Sequence, residues 1–125
     1  MLKTTLAMIE DNPDNRLLIC ALLEDRYRIL EFEDGVKALE AMPLDLPDVV
    51  LLDISLPILS GVEVLKKMRE NPTLKDIPVI ALTAHAMSGD REKYLAHGFN
   101  AYLAKPIWDD QVLCNVIESV LKPGV

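Results

Sequence analysis

The chain has 125 residues, half of them apolar and 26% charged, which fits one compact domain with its own core and excludes a disordered or disulfide-stapled chain. Thirteen Lys and Arg stand against 20 Asp and Glu, a net charge of −7 with no basic tract, so direct nucleic-acid binding is not expected. The longest apolar run, Leu17 to Leu23, has seven residues against the roughly 20 that span a bilayer, and the start Met1-Leu2-Lys3-Thr4-Thr5 has no signal-peptide core. A soluble, cytoplasmic domain is expected, without membrane insertion.

In chain order, the predicted strands are Thr5–Ile9, Arg28–Phe32, Val49–Leu52, Val79–Leu82 and Ala101–Leu103. The third and fourth are apolar throughout, as strands covered by helices on both faces must be. Helical patterns fill the intervals. Asn12 caps the first, with Pro13 at the opening position where a missing N–H costs nothing. Asp34-Gly35 opens a second, and Ser60-Gly61-Val62-Glu63 reads as a capping box for a third. Ser88 is expected to cap a fourth, which Gly98 stops. In the last, Val112, Leu113, Val116, Ile117, Val120 and Leu121 recur at helical spacing before Pro123-Gly124.

This alternation predicts an α/β fold, a doubly wound five-stranded parallel sheet whose ligands sit beyond the carboxyl ends of the strands. Cys20 and Cys114 are too few and too far apart for a zinc site and are expected to be buried thiols that only pack.

The strand ends carry the chemistry. The first strand runs into Glu10-Asp11, the third into Asp53, the fourth into Thr83 and the fifth into Lys105-Pro106. Two like charges about 4 Å apart at an effective dielectric near 20 repel by roughly 4 kcal/mol, so three converging carboxylates need compensation. Oxygen-rich and thiol-free, the cluster suits a hard cation such as Mg²⁺, with phosphate as co-ligand. Taken singly, each acid reads equally as a cap or a solvated rim, Lys105 as a surface lysine and Thr83 as an ordinary strand-end hydroxyl. The conjunction in order along alternating strands is what carries weight.

On these residues the chain resembles the receiver domain of two-component response regulators over essentially its whole length. The matching stretches are Ile9-Glu10-Asp11-Asn12, Val49 to Pro57 around Asp53, Ser60-Gly61, Ile80-Ala81-Leu82-Thr83-Ala84 and Tyr102-Leu103-Ala104-Lys105-Pro106. The separations agree too: 42 residues from Asp11 to Asp53, 30 on to Thr83 and 22 more to Lys105.

The resemblance implies a flavodoxin-like (βα)5 sheet in strand order 2-1-3-4-5, with residues 1–125 forming a single receiver-only response regulator. It implies that Asp53 accepts a phosphoryl group from a sensor histidine kinase or a histidine phosphotransfer protein. Glu10, Asp11, Asp53 and the backbone carbonyl of Ser55 match the Mg²⁺ positions. Lys105 matches the cation on the phosphoryl group, Thr83 the hydroxyl that swings to a phosphoryl oxygen, and Tyr102 the aromatic that turns inward behind it. Such a domain is not a conventional enzyme; it catalyses only its own phosphorylation and dephosphorylation, and switches contacts with a downstream protein or with a second copy of itself. A receiver excised from a larger regulator or hybrid kinase is the main alternative.

Two other classes fit less well. A Mg²⁺-dependent phosphohydrolase uses an Asp-x-Asp pair, but Asp53-Ile54-Ser55 has Ser at the acid/base position. A flavodoxin needs a Ser/Thr/Gly-rich phosphate loop where Glu10-Asp11-Asn12-Pro13 would repel the flavin phosphate.

Further expectations concern single residues. Leu17 lies in an apolar run that wraps right round its helix, so it is expected to be partly exposed and to contact a phosphodonor. Trp108, opening the last helix, is a candidate partner anchor on an output surface. His85 is expected to tune the lifetime of the acyl phosphate, and His97 to compensate a helix dipole.

Overall fold

A computed structural model of the chain describes residues 3–84, 89–105 and 109–121. Five strands alternate with five helices: β1 (Thr4–Ile9), α1 (Pro13–Leu23), β2 (Tyr27–Phe32), α2 (Gly35–Ala41), β3 (Val49–Asp53), α3 (Gly61–Glu70), β4 (Val79–Thr83), α4 (Asp90–His97), β5 (Ala101–Ala104) and α5 (Asp110–Leu121), with a 3-10 turn at Met42–Leu44. All strand pairs are parallel, in the order β2-β1-β3-β4-β5. Each predicted strand is present and one residue longer at one end, so that Asp53 and Thr83 are themselves the last residues of β3 and β4.

The apolar strands divide their side chains between two cores. Ala7, Ile9, Val50, Leu52, Val79 and Ala81 pack on the face covered by α2, α3 and α4, where Ala38, Val64, Leu65, Met68 and Tyr94 meet them. Leu6, Met8, Val49, Leu51, Ile80 and Leu82 point the other way, onto Ile19 and Leu23 of α1 and Leu113, Cys114 and Ile117 of α5. This is why β3 and β4 are apolar at every position before their terminal Asp and Thr, and each fully buried Leu or Ile contributes roughly 1.5–3 kcal/mol.

Local signals set the helix ends. The Asn12 side chain accepts from the N–H of Asp14 and Asn15, that of Asp34 from Lys37, and Ser60 and Glu63 form the reciprocal capping box. Gly98 ends α4 at a φ of 111°, a left-handed value that favours glycine. The cap position of α4 is Gly89, which provides no side-chain bond; Ser88 lies outside the described residues, as do His85, Pro106, Trp108, Pro123 and Gly124.

One burial expectation needs correction: Cys114 is buried but Cys20 is only half-buried. Val112 is likewise exposed on α5. In both helices the apolar set is wider than the stripe that can press against the sheet.

One polar clasp joins the helices on the α3/α4 side. Arg69, near the end of α3, donates to the carbonyls of Lys75 (2.9 Å) and Ile77 (2.8 Å), and to the Gly98 carbonyl and Asn100 Oδ1 beyond α4. Asn100 Oδ1 also accepts the Val79 N–H at 2.9 Å. Among the described residues no helix is long and apolar enough to cross a membrane.

Candidate functional site

The sheet register brings the site together. Ile9 pairs with Leu52, which puts Glu10 beside Asp53, and Asp53 pairs with Leu82, which puts Thr83 next to it. Thr83 pairs with Ala104, and the Lys105 N–H donates to the Thr83 carbonyl at 2.8 Å, so Lys105 arrives at the same rim. Carboxylate oxygens of Glu10, Asp11 and Asp53 lie within 4.8 Å of one another. Glu10, Asp53 and Thr83 are buried, while Asp11 is exposed.

Lys105 answers the repulsion expected of such a cluster. Its ammonium is bonded to Oε1 of Glu10 and lies 3.0 Å from Oδ2 of Asp53. The other Asp53 oxygen, Oδ1, accepts the Ser55 N–H at 2.9 Å, so both carboxylate oxygens have fixed donors and the group is held in one orientation. Burial, with the adjacent Asp53 carboxylate, pushes the Glu10 carboxyl up to about 7, although Lys105 pulls it down. Burial pulls the Lys105 ammonium down, yet its bonds to Glu10 and Asp53 outweigh this and raise its pKa.

The loops around these residues are tightly determined. The Gly61 N–H donates to the Ile54 carbonyl at 2.9 Å, and a Cβ at Gly61 would stand 2.5 Å from the Asp53 carbonyl oxygen. Only glycine lets α3 start this close to the end of β3. Between them the Leu59 N–H donates to the Pro57 carbonyl at 2.7 Å across Ile58, whose φ is 67°. That is a γ-turn of the strained hand at an exposed β-branched residue.

Glu10 is stitched to the chain that follows it. The Asn12 N–H donates to Oε2 at 3.2 Å and the Asn15 amide to Oε1 at 3.3 Å. Arg16 donates to the carbonyls of Glu10 (2.7 Å) and Asp11 (3.2 Å). Sequence reasoning missed Asn15 and Arg16. The signal available was a cation in the opening turns of a helix, where the dipole disfavours one, six and five residues after the two acids Glu10 and Asp11.

Of the remaining candidates, Leu17 is 71% exposed on α1. Tyr102 is half-buried and stacks on Tyr94, centroids 5.8 Å apart, and Tyr94 meets Phe99 edge-on. The Tyr102 hydroxyl is buried without a hydrogen-bond partner among the described residues. His97 closes α4, at the end where a cation suits the dipole. Cys20 has its thiol pushed up to about 11 by burial and by Glu31 and Glu24, so it stays protonated and unreactive.

The family model of the response regulator receiver domain matches residues 6–118. The chain belongs to this receiver-domain family. It is similar to the polar-differentiation response regulator DivK of Brucella anthropi, 42% identical over 101 residues that make up 80% of this chain and 82% of that protein. It is also similar to the signal transduction histidine-protein kinase BarA of Shigella flexneri, 40% identical over 115 residues, 89% of this chain. The chain spans only 12% of that kinase's length. Among solved structures, the receiver domain of sensor histidine kinase PA1611 from Pseudomonas aeruginosa PAO1 has a TM-score of 0.85 at 34% identity, covering 95% of this chain and 98% of that one. That domain has a magnesium ion coordinated in its active site cleft. This chain is accordingly a receiver domain of two-component signalling, with the receiver fold in the order 2-1-3-4-5 and an acidic cluster fit to hold a metal ion.

Proposed function

We propose that the domain accepts a phosphoryl group on Asp53 from a phosphohistidine of a sensor histidine kinase or phosphotransfer protein, with Mg²⁺ held by Glu10, Asp11, Asp53 and the Ser55 carbonyl. The observation that carries this reading is the bridge from Lys105 to both Asp53 and Glu10 inside a three-carboxylate pocket. An Asp53 oxygen attacks phosphorus, the bond from phosphorus to the imidazole nitrogen breaks, and the imidazole leaves with the electron pair. The residues of the chain supply position and charge: the Ser55 N–H orients the nucleophile, and Lys105 faces the charge carried by the phosphoryl oxygens. Bound Mg²⁺ neutralises the carboxylates and the phosphoryl oxygens at once.

The added charge of about −2 favours the state in which the Thr83 hydroxyl is drawn to the phosphoryl group. Tyr102, on the neighbouring strand, then turns inward into the space that Thr83 leaves. The change alters contacts with a downstream protein or a second copy, and hydrolysis of the acyl phosphate ends it. This self-directed cycle, in the cytoplasm, is the only chemistry proposed. The similarity to DivK along most of that protein supports a domain acting alone; the short segment matched in BarA supports the same chemistry as one part of a longer kinase.

Incubation with acetyl phosphate and Mg²⁺, followed by intact mass, tests the reading. One added phosphoryl group is expected, lost with EDTA and in Asp53→Asn; a gain that survives Asp53→Asn overturns it.

A further inference from the structure

We propose that Arg16 is a positioning residue for the metal site: a guanidinium brace on α1 that fixes the backbone of Glu10 and Asp11 and so sets how tightly the pocket binds Mg²⁺. The inference rests on the phosphoacceptor reading above and adds a residue to it.

The case starts from an odd placement. Arg16 is the fourth residue of α1, near the helix end whose dipole is positive, where a cation is disfavoured. Its side chain is nevertheless largely covered, with 20% exposure, and turns back toward the loop that precedes the helix. One terminal nitrogen donates to the Glu10 carbonyl at 2.7 Å and to the Asp11 carbonyl at 3.2 Å, while Nε faces Glu31 of β2 at 3.7 Å. The same guanidinium therefore touches two successive acids of the pocket and the neighbouring edge strand.

Those two residues lie where the ladder ends. β1 ends at Ile9, and the Glu10 N–H makes the last bond across to β2, with the Phe32 carbonyl at 3.0 Å. Glu10 is wholly buried, so its carbonyl needs a donor, and Arg16 provides a charged one. The Asn12 N–H and the Asn15 amide hold the Glu10 carboxylate from the same helix. Backbone and side chain of the loop are thus referenced to α1, and Asp11, exposed and otherwise free to turn with the loop, is placed by the bond to its carbonyl.

Two effects of removing Arg16 have opposite signs, which makes the idea sharp. As a cation beside the pocket, Arg16 repels Mg²⁺, so loss of its charge alone tightens metal binding. As a brace it holds ligands at metal distance, so its loss weakens binding, by about ten- to a hundredfold for a group that orients metal ligands. We expect the second to win.

The test is calorimetric titration of Mg²⁺ into wild type, Arg16→Ala, Arg16→Lys and Asn15→Ala, at a temperature where thermal melts in EDTA show each to be folded. A loss of global stability does not change the affinity of molecules that are folded, so the dissociation constant separates positioning from scaffolding. Expected are a loss of about tenfold or more in Arg16→Ala and a smaller loss in Arg16→Lys, which keeps the charge and one donor. Should Arg16→Ala fail to fold, Arg16→Lys decides: unaltered affinity there overturns the brace. Affinity equal to or tighter than wild type in a folded Arg16→Ala overturns it as well, leaving the phosphoacceptor reading intact. A wild type that binds no Mg²⁺ removes that reading, and the brace with it.

Discussion

A methyl group on Gly61 would stand 2.5 Å from the carbonyl oxygen of Asp53, and 2.8 Å from the Cα of Ile54. Both neighbours are backbone, at the end of the strand that carries the proposed phosphoacceptor, so neither gives way cheaply. Alanine at a helix start would ordinarily stabilise; here overpacking reverses the sign. Gly61→Ala is expected to lose about 1–3 kcal/mol in urea denaturation and to slow phosphorylation from acetyl phosphate.

The Glu10 carboxyl gives a pH signature with a definite sign. Its value is raised from 4.5 to about 7 by burial first and by Asp53 next, so the folded metal-free protein holds a proton that the unfolded chain releases. Stability from this group is present in full below 4.5 and is lost as pH rises through about 7. Urea denaturation in EDTA across that window should show the decline, and Glu10→Gln should flatten it. Because Mg²⁺ requires the ionised carboxylate, metal affinity moves the other way and rises with pH through about 7.

Ile58 occupies its left-handed turn with a φ of 67° and 78% of its surface exposed. A β-branched side chain is poorly suited to that conformation and gains little packing in return. Ile58→Gly removes the steric cost, offset in part by the greater freedom of glycine in the unfolded chain. A net gain of about 0.5–1 kcal/mol, seen as a melting temperature higher by a few degrees, is expected.

The Tyr102 hydroxyl is buried without a partner among the described residues, so its loss should help the resting state. Tyr102→Phe keeps the stack on Tyr94 and is expected to stabilise the unphosphorylated domain by about 1 kcal/mol. A destabilised variant in thermal melts would mean that the hydroxyl is already satisfied.

Leu17 stands 71% exposed on the helix that also carries Arg16. Leu17→Asp should leave the melting temperature nearly unchanged while slowing phosphoryl transfer from a cognate protein donor more than from acetyl phosphate. Equal effects on the two donors would remove Leu17 from the docking surface.

How much of this was legible in the sequence differs by element. Val49–Asp53 and Val79–Thr83 declare themselves, because strands covered on both faces leave no room for polar residues before their ends. Asn12, Asp34 and Ser60 declare the helix starts because capping is local chemistry. The start of α4 does not, since its cap position is a glycine with no side-chain bond. The acids and Lys105 are readable as strand-end residues, whereas their orientation by Ser55, Asn15 and Arg16 depends on how loops fold back. Cys20 misleads for a similar reason: its neighbours are all apolar, but only part of α1 meets the sheet.

The clasp at Arg69 has a mechanical consequence for α4. A rod pinned at one end swings instead of sliding. Arg69 pins α4 at Gly98, the end remote from Thr83, so a displacement of the Gly89 end amounts to a tilt whose lever arm is the length of the helix. A partner laid along α4 would then read an angle.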